Sequence, residues 1–451
     1  MHYLYVLQRK NDELYIGYTN DLQRRFKEHQ EEGRCKLLYY EVYLSEKLAR
    51  DREKRLKYYG SAWRALKKEL WLRGRGAHPV HMFFKSPPFG LDMSDYSIEI
   101  VSLDGNIKNP KLLAMAGAVL QPGVFENGKI LEKENLENCL KNLIGNPKFG
   151  KIKTNKIIFS LPESKTYTHV FGLPENIKQS EILEFVRSQA KENFPLSLEE
   201  LYFDFQIEKE KVLLIASPRK IVDDYLEIFR DCNLAPLALE VESLSLARSL
   251  IPLIPKNGNA VFIVDIGAEY TNLNIFEEGG MSFSFSLPVA GNKFTQAISE
   301  KLNIPKDAAE KLKKEAGLDS AFEEGRIFLI LQKEIQPILA EIRRIQNYFQ
   351  EKTGRSVEKM ILTGGSGSLP RLLDYLQQNL GLPVEIGDPW VRINIDILKK
   401  KEYLREALGI EPILYSTVIG AALRGLERNP QGAGINLLPV KPGSRIWTNV
   451  L

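Results

Sequence analysis

The chain has 451 residues, 43% hydrophobic and 27% charged, with 32 Gly and 23 Pro. At roughly 100–200 residues per domain it should hold about two to four domains, and the balance excludes a mainly disordered, collagen-like or fibrous protein. Three cysteines, Cys35, Cys139 and Cys232, fit neither a disulfide framework nor a zinc cluster and point to a reducing compartment. No apolar run reaches the roughly 18 residues that cross a membrane, and the N-terminus lacks a signal-peptide pattern, so a soluble cytosolic protein is expected. The net charge of +4 is uneven: residues 1–81 carry 18 Lys+Arg against 11 Asp+Glu and hold four of the five His, leaving the remainder slightly acidic. A small basic unit suits a polyanion such as nucleic acid, and equally a plain solvated surface.

His2 to Leu7 and Leu14 to Gly17 read as strands around a turn at Asn11-Asp12-Glu13. Thr19-Asn20-Asp21 can cap a helix carrying Leu22, Phe26 and His29 on one face. Lys36 to Tyr43 reads as a third strand, followed by a basic helix from about Glu46 to Tyr58 and another from Ser61 to Leu70. Phosphodiester hydrolysis needs a base for water, a cation for the developing charge and help for the leaving group. A Tyr held beside an Arg or a metal can be the base, an Arg fork can hold phosphate, and a lone carboxylate can anchor hydrated Mg²⁺. Tyr5, Tyr15, Arg25, His29 and Glu53 supply those types. The same residues also suit strand packing and surface charge.

Residues 71–88, WLRGRGAHPVHMFFKSPP, interrupt every periodic pattern with Gly, Pro and His and mark a boundary. Beyond it, Phe89-Gly90-Leu91-Asp92 and a strand from Tyr96 flank a turn. Ala260 to Asp265, nearly all apolar, reads as a strand buried on both faces, turning at Ile266-Gly267-Ala268-Glu269 into a return strand from Thr271. A third loop, Gly364-Gly365-Ser366-Gly367-Ser368, follows the strand ending at Thr363, and Arg326 to Thr353 is a long helix with Phe328, Leu331, Ile335, Ile338, Ile342, Ile345 and Phe349 on one face. Two strand–Asp–turn–strand hairpins and a Gly-rich loop suit a phosphate clamp built from backbone N–H groups, with the Asp side chains holding Mg²⁺ or its waters. No Walker A motif occurs.

Residues 3–70 resemble the GIY-YIG nuclease domain in its short stand-alone bacterial form, on Tyr3-Leu4-Tyr5-Val6, Tyr15-Ile16-Gly17, Thr19 to His29 and Leu48 to Lys57. The resemblance implies Tyr5 and Tyr15 as the signature tyrosines, Tyr15 being the base candidate. It implies Arg25 as the catalytic arginine, His29 as an active-site residue and Glu53 as the metal ligand. The first signature reads Tyr-Leu-Tyr instead of Gly-Ile-Tyr, which keeps the needed tyrosine.

Residues 82–440 resemble the actin-like ATPase superfamily, most closely the PilM family of pilus assembly proteins, related to FtsA. Gly90-Leu91-Asp92 with Ser97 matches the first phosphate loop and Asp265-Ile266-Gly267 with Thr271 the second. Gly291, Lys293 and Thr295 match the stretch that follows, Glu310 and Lys313 the pair flanking the nucleoside, and Gly364, Gly365, Ser366 and Gly367 the adenosine loop. The implied architecture is α/β: a small GIY-YIG domain (1–75), a linker (76–88), a two-lobed actin-like ATPase of ribonuclease H-like fold (89–440) with 165–245 as its inserted small lobe, and a C-terminal tail (441–451). The first phosphate loop departs from the superfamily in lacking a glycine after Asp92 and in carrying Asp95.

The resemblance implies a scaffold at the cytoplasmic face of the inner membrane that binds ATP and Mg²⁺ with slow or no hydrolysis. It implies as partner the short cytoplasmic tail of a PilN-like protein, and through it a PilO-like protein. DNA at residues 1–75 and self-association are further expectations. The alternative is a DNA-processing endonuclease with an actin-like regulator; a metabolite kinase lacks an acceptor-site Asp. A start at Met82 would make the two parts separate proteins. Gly434-Ile435-Asn436-Leu437-Leu438-Pro439-Val440 resembles the Ile-Asn-Leu-Leu-Pro motif near the N-terminus of PilN. It reads either as the last wrap of the large domain or as a mimic of that partner.

Overall fold

A computed structural model describes residues 2–9, 13–32, 35–43, 45–58, 86–121, 123–126, 129–251, 260–278, 280–393 and 411–439. The helix expected at 61–70, most of the 71–88 junction, and Val440 with the 441–451 tail lie outside them. The chain divides into two units, 1–85 and 86–451.

In the first unit, β1 (His2–Arg9) is the centre of an antiparallel sheet, between β2 (Leu14–Thr19) and β3 (Cys35–Tyr43). Leu4, Tyr5, Val6 and Leu7 are all buried, as a central strand covered on both faces requires. Helix α1 (Leu22–Glu32) starts behind Asp21, whose Oδ1 accepts the Arg24 N–H at 3.0 Å. Helix α2 (Glu46–Tyr58) packs across the sheet through Ala49 and Leu56. Arg52 pins it to β3 by a 3.1 Å bond to the buried Glu41.

The second unit is built on two sheets. The first orders its strands β14-β10-β4-β5-β6-β9. They are β4 (Phe89–Met93), β5 (Ser97–Asn106), β6 (Asn109–Val119), β9 (Phe149–Gly150), β10 (Lys156–Leu161) and β14 (Ala235–Val241). A small hairpin, β7 (Phe125–Glu126) with β8 (Lys129–Ile130), precedes α3 (Lys133–Gly145). A separate antiparallel sheet, β11-β13-β12, comprises β11 (Tyr167–Gly172), β12 (Leu201–Glu208) and β13 (Lys211–Pro218) and shares its own core with α4 (Ile182–Asn193). The small lobe expected at 165–245 therefore ends sooner. After α5 (Arg219–Asp231), β14 returns to pair in parallel with β10 in the first sheet, and α6 (Glu242–Leu250) follows it.

The second large sheet runs β17-β16-β15-β18-β19: β15 (Ala260–Ile266), β16 (Thr271–Glu277), β17 (Gly280–Leu287), β18 (Val357–Thr363) and β19 (Val384–Ile386). Around it lie α7 (Gly291–Leu302), α8 (Lys306–Ala316), α9 (Arg326–Thr353) and α10 (Leu372–Leu380). The apolar stripe of α9 is as read, except that Ile327 and not Phe328 leads it into the core. Helix α11 (Ser416–Arg424) closes the first lobe against β4, β5 and β10. It approaches β4 so closely that a Cβ on Gly90 would lie 2.3 Å from the Val418 carbonyl.

Candidate functional site

In the first unit the sheet and α1 gather Tyr5, Tyr15, Arg25 and His29. Tyr5 Oη is hydrogen-bonded to His29 Nε2 at 3.0 Å, and the Tyr15 and His29 rings meet edge-on at 5.0 Å. Gly17 stands opposite Tyr5 in register; a Cβ there would fall 2.5 Å from the Tyr5 hydroxyl and 2.9 Å from the Tyr15 ring. The signature glycine thus makes room for both rings. Burial, with Tyr15 adding to it against the opposing pull of Arg25, pushes the Tyr5 hydroxyl up to about 12. It stays protonated at neutral pH and serves as a hydrogen-bonding group. Tyr15 is more open, with the Arg9 guanidinium 4.8 Å over its ring, and Arg25 is steadied by Glu28 at 2.6 Å. Glu53, half-buried on α2, accepts from Lys57 at 2.7 Å. Among the described residues no three His, Cys, Asp or Glu side chains converge as a metal cluster, so a cation at Glu53 would take most of its shell from water.

In the second unit the two hairpins bring Asp92 and Asp265 into each other's field. Asp92 is the penultimate residue of β4, is buried, and its Oδ1 has no hydrogen-bond partner. Burial and the charge of Asp265 push its carboxyl up to about 7. Asp265, on β15, is pushed up to about 6 by its low-polarity surroundings, with Asn272 opposing and Glu163 adding to the rise. Ser94 shapes the first turn, its Oγ accepting the Ser97 N–H at 3.0 Å.

The glycine-rich loop folds onto the second hairpin. Gly364 has φ +85°, and a Cβ there would lie 2.4 Å from Asp265 Oδ1 and 2.5 Å from the Ile266 carbonyl. The Ser366 N–H donates to the Ile266 carbonyl at 2.9 Å, and the Gly291 N–H to that of Gly267 at 3.1 Å. Lys313 is buried, its Nζ donating to the Gly291 carbonyl (2.9 Å), Thr295 Oγ1 (2.9 Å) and Glu310 (2.6 Å). That uses all three ammonium donors on the protein. Thr271 likewise donates to the Val289 carbonyl at 2.7 Å and Ser366 Oγ to that of Gly267 at 3.3 Å. Lys313, Glu310, Thr271 and Ser366 therefore hold the loops in place, whereas Lys293 and Gly365 stand exposed at the rim.

A family model described as type IV pilus assembly protein PilM matches residues 90–426, three quarters of the chain. The chain belongs to the PilM family. Residues 1–64 match the GIY-YIG catalytic domain and form such a domain. A solved PilM-PilN type IV pilus biogenesis complex has the same fold over 76% of this chain and 99% of that one, with TM-score 0.66 and 24% identity. The cell division protein FtsA of Neisseria meningitidis is 24% identical over 40% of this chain and 48% of its own length. A UPF0213 protein of Bacillus pumilus is 35% identical over 16% of this chain and 78% of its own. The chain thus spans about half the length of that FtsA. No helix among the described residues is long and apolar enough to cross a membrane.

Within this PilM-family unit three further acids surround the Asp pair; sequence reading missed Glu99 and Glu242, and placed Glu163 only in the Leu161-Pro162-Glu163 loop that resembles the opening of the small lobe. Glu99 faces Asp92 in register. Glu163 accepts from Ser284 Oγ at 2.6 Å and from the Ser243 N–H at 3.2 Å, joining β10, α6 and β17. Glu242 accepts the Glu163 N–H at 3.1 Å. Burial pushes all three upward, Asp92 adding to the rise at Glu99 and Glu242.

Proposed function

We propose that the large unit is an ATP-binding scaffold of a type IV pilus or related secretion assembly. It sits at the cytoplasmic face of the inner membrane and binds the cytoplasmic peptide of a PilN-like protein, through which it meets a PilO-like one. The supporting observation is the carboxylate pair in which the Asp265 charge reaches Asp92, with an unsatisfied oxygen on Asp92 and the Gly364 cradle against Asp265. Such a site fits a hydrated Mg²⁺ carried on phosphate, with Asp92 and Asp265 holding its waters and the Gly364–Ser366 loop lying against the nucleoside. The bound cation would supply the charge that two neighbouring carboxylates lack. Turnover is slow or absent on this reading, which assigns no residue as base for the attacking water. Calorimetry of the full chain with a PilN-like N-terminal peptide, with and without Mg²⁺·ATP, tests it; no binding in either state would remove the pilus partner.

The GIY-YIG domain is proposed to cut or nick DNA, with Tyr15 as base, Arg25 on the phosphate and Glu53 on Mg²⁺. With labelled duplex, branched and single-stranded DNA, Glu53→Ala should lower cleavage at least about 100-fold, the span of one acid–base or metal contribution. Equal product from wild type and variant on every substrate would end the catalytic reading. Binding through the basic α2 face should weaken steeply with salt in either case.

A further inference from the structure

The first sheet and the small sheet each end in an open edge, β14 and β12 respectively. Residues 434–438 lie between these edges. Ile435 and Leu437 are 1% exposed and enter the core of the first lobe. The Asn436 side chain spans the β14 backbone both ways: Oδ1 accepts the Leu239 N–H at 3.1 Å, and Nδ2 donates to the Leu237 carbonyl at 3.1 Å. The Asn436 N–H donates to Asp204 on β12 at 2.8 Å, and the Leu437 N–H to the Leu239 carbonyl at 2.8 Å. Two alternate apolar anchors and one asparagine that completes a sheet edge are the means by which a short linear peptide is held by strand addition.

We propose that 434–438 is an exchangeable occupant of this groove, filling it from within the chain until an extended peptide of the same Ile-Asn-Leu-Leu pattern from another molecule takes its place. Three further features bear on exchange. Among the described residues the segment pairs with β14 through one main-chain bond, at Leu437, and through the Asn436 side chain, while Arg424 holds the Ile435 and Gly434 carbonyls at 2.6 and 3.2 Å. It is reached by a turn-rich stretch holding Gly425, Pro430, Gly432 and Gly434, the last at φ +105°. One flank is open: Gly434 and Ile435 wall a cavity of about 550 Å³ shared with Leu213, Leu244 and Met281, and the segment emerges at the exposed Pro439. Tethering supplies a high local concentration, so the groove is self-filled and an outside peptide is weakened by the fraction of time the groove is closed. The inference rests on the scaffold reading, for it names the regulation of that partner site.

The test uses the full chain and two labelled peptides, one copied from residues 434–440 and one from the N-terminus of a PilN-like protein. Asn436→Ala loosens the tail and leaves the groove intact; it should bind both peptides about 10- to 100-fold tighter than wild type, the gain expected when a site closed nine-tenths or more of the time is opened. Asp204→Ala damages the groove and should bind neither more tightly. Hydrogen exchange on wild type gives an answer even where a variant fails to fold. The Leu437 and Leu239 amides should exchange through a local opening, faster than Val264 in the central strand; protection equal to that of Val264 overturns the proposal. Equal affinity of wild type and folded Asn436→Ala for both peptides also overturns the exchange but leaves the scaffold standing. Failure of every protein to bind either peptide overturns both.

Discussion

Replacing Arg424 by Ala should lower the unfolding free energy of the large unit by about 3–5 kcal/mol, the cost of removing one partner from a buried pair. Arg424 and Glu240 are both fully buried and 2.6 Å apart. The Arg424 guanidinium also donates to the carbonyls of Pro430 (2.9 Å), Ile435 (2.6 Å) and Gly434 (3.2 Å). Glu240 keeps Arg248 at 2.5 Å and Ser245 at 2.6 Å, so the loss comes chiefly from the orphaned carbonyls and from halving the compensation at the carboxylate. Burial by itself pushes Glu240 up, but Arg248 and Arg424 outweigh it and hold the carboxyl down to about 2. An unfolded Glu titrates at about 4.3. The stability this contributes is therefore complete above that value and is lost as pH falls toward 2. In Arg424→Ala the acid loss should begin at higher pH. Urea unfolding followed by circular dichroism from pH 2 to 7 decides it. A variant within about 1 kcal/mol of wild type throughout, the range of an exposed ion pair, would show that the pair contributes no more than a surface one.

The hairpins around Asp92 and Asp265, the Gly364 loop and the tyrosine strands were legible because each has a period or a glycine with a single conformational use. Gly17 and Gly364 are examples: one leaves room for two rings and the other for the Asp265 carboxylate. The division of labour inside the site was not legible. Lys313 and Thr271 align with ligand-binding positions, yet their polar atoms are spent on Gly291, Thr295, Glu310 and Val289. A sequence gives the type of a donor and not where it is aimed. The small-lobe boundary was misplaced for a related reason: nothing in the run Ala235–Val241 says which of two sheets it joins. Of the two readings of this tail, the described residues 434–439 lie against their own domain, as the last-wrap reading expects, and the mimic reading stays a proposal. The segment wraps its own domain, and it does so in a groove between two sheet edges that suits a peptide. The buried acids Glu99, Glu163 and Glu242 come from three distant segments, and only folding brings them around the Asp pair.

In the absence of nucleotide, the large unit should lose stability as pH rises from about 4 to 7. An unfolded Asp titrates at about 3.9, whereas Asp92 and Asp265 are pushed up to about 7 and about 6. Between those values the folded state binds more protons than the unfolded one, so the slope of unfolding free energy with pH is negative. Because the two sites share a field, they titrate as a pair; at about 1.4 kcal/mol per tenfold, rises from about 3.9 to about 7 and about 6 sum to about 7 kcal/mol, so a combined loss of several kcal/mol is expected. Glu99, Glu163 and Glu242 act with the same sign. His169, depressed by burial, acts with the opposite sign; since it is unchanged in the variants, comparing them with wild type cancels it. Asp265→Asn removes one charge of the pair at every pH. It should flatten the curve, raise nucleotide-free stability at pH 8, and abolish the thermal shift that Mg²⁺·ATP gives wild type, about 2.7 kcal/mol at a hundredfold excess over Kd. Gain without ligand and loss with it are the joint signature of a carboxylate kept for a cation. Differential scanning fluorimetry from pH 5 to 8, with and without Mg²⁺·ATP, reads both. Parallel curves for wild type and Asp265→Asn, with the same nucleotide shift, would remove the Asp pair from the nucleotide site.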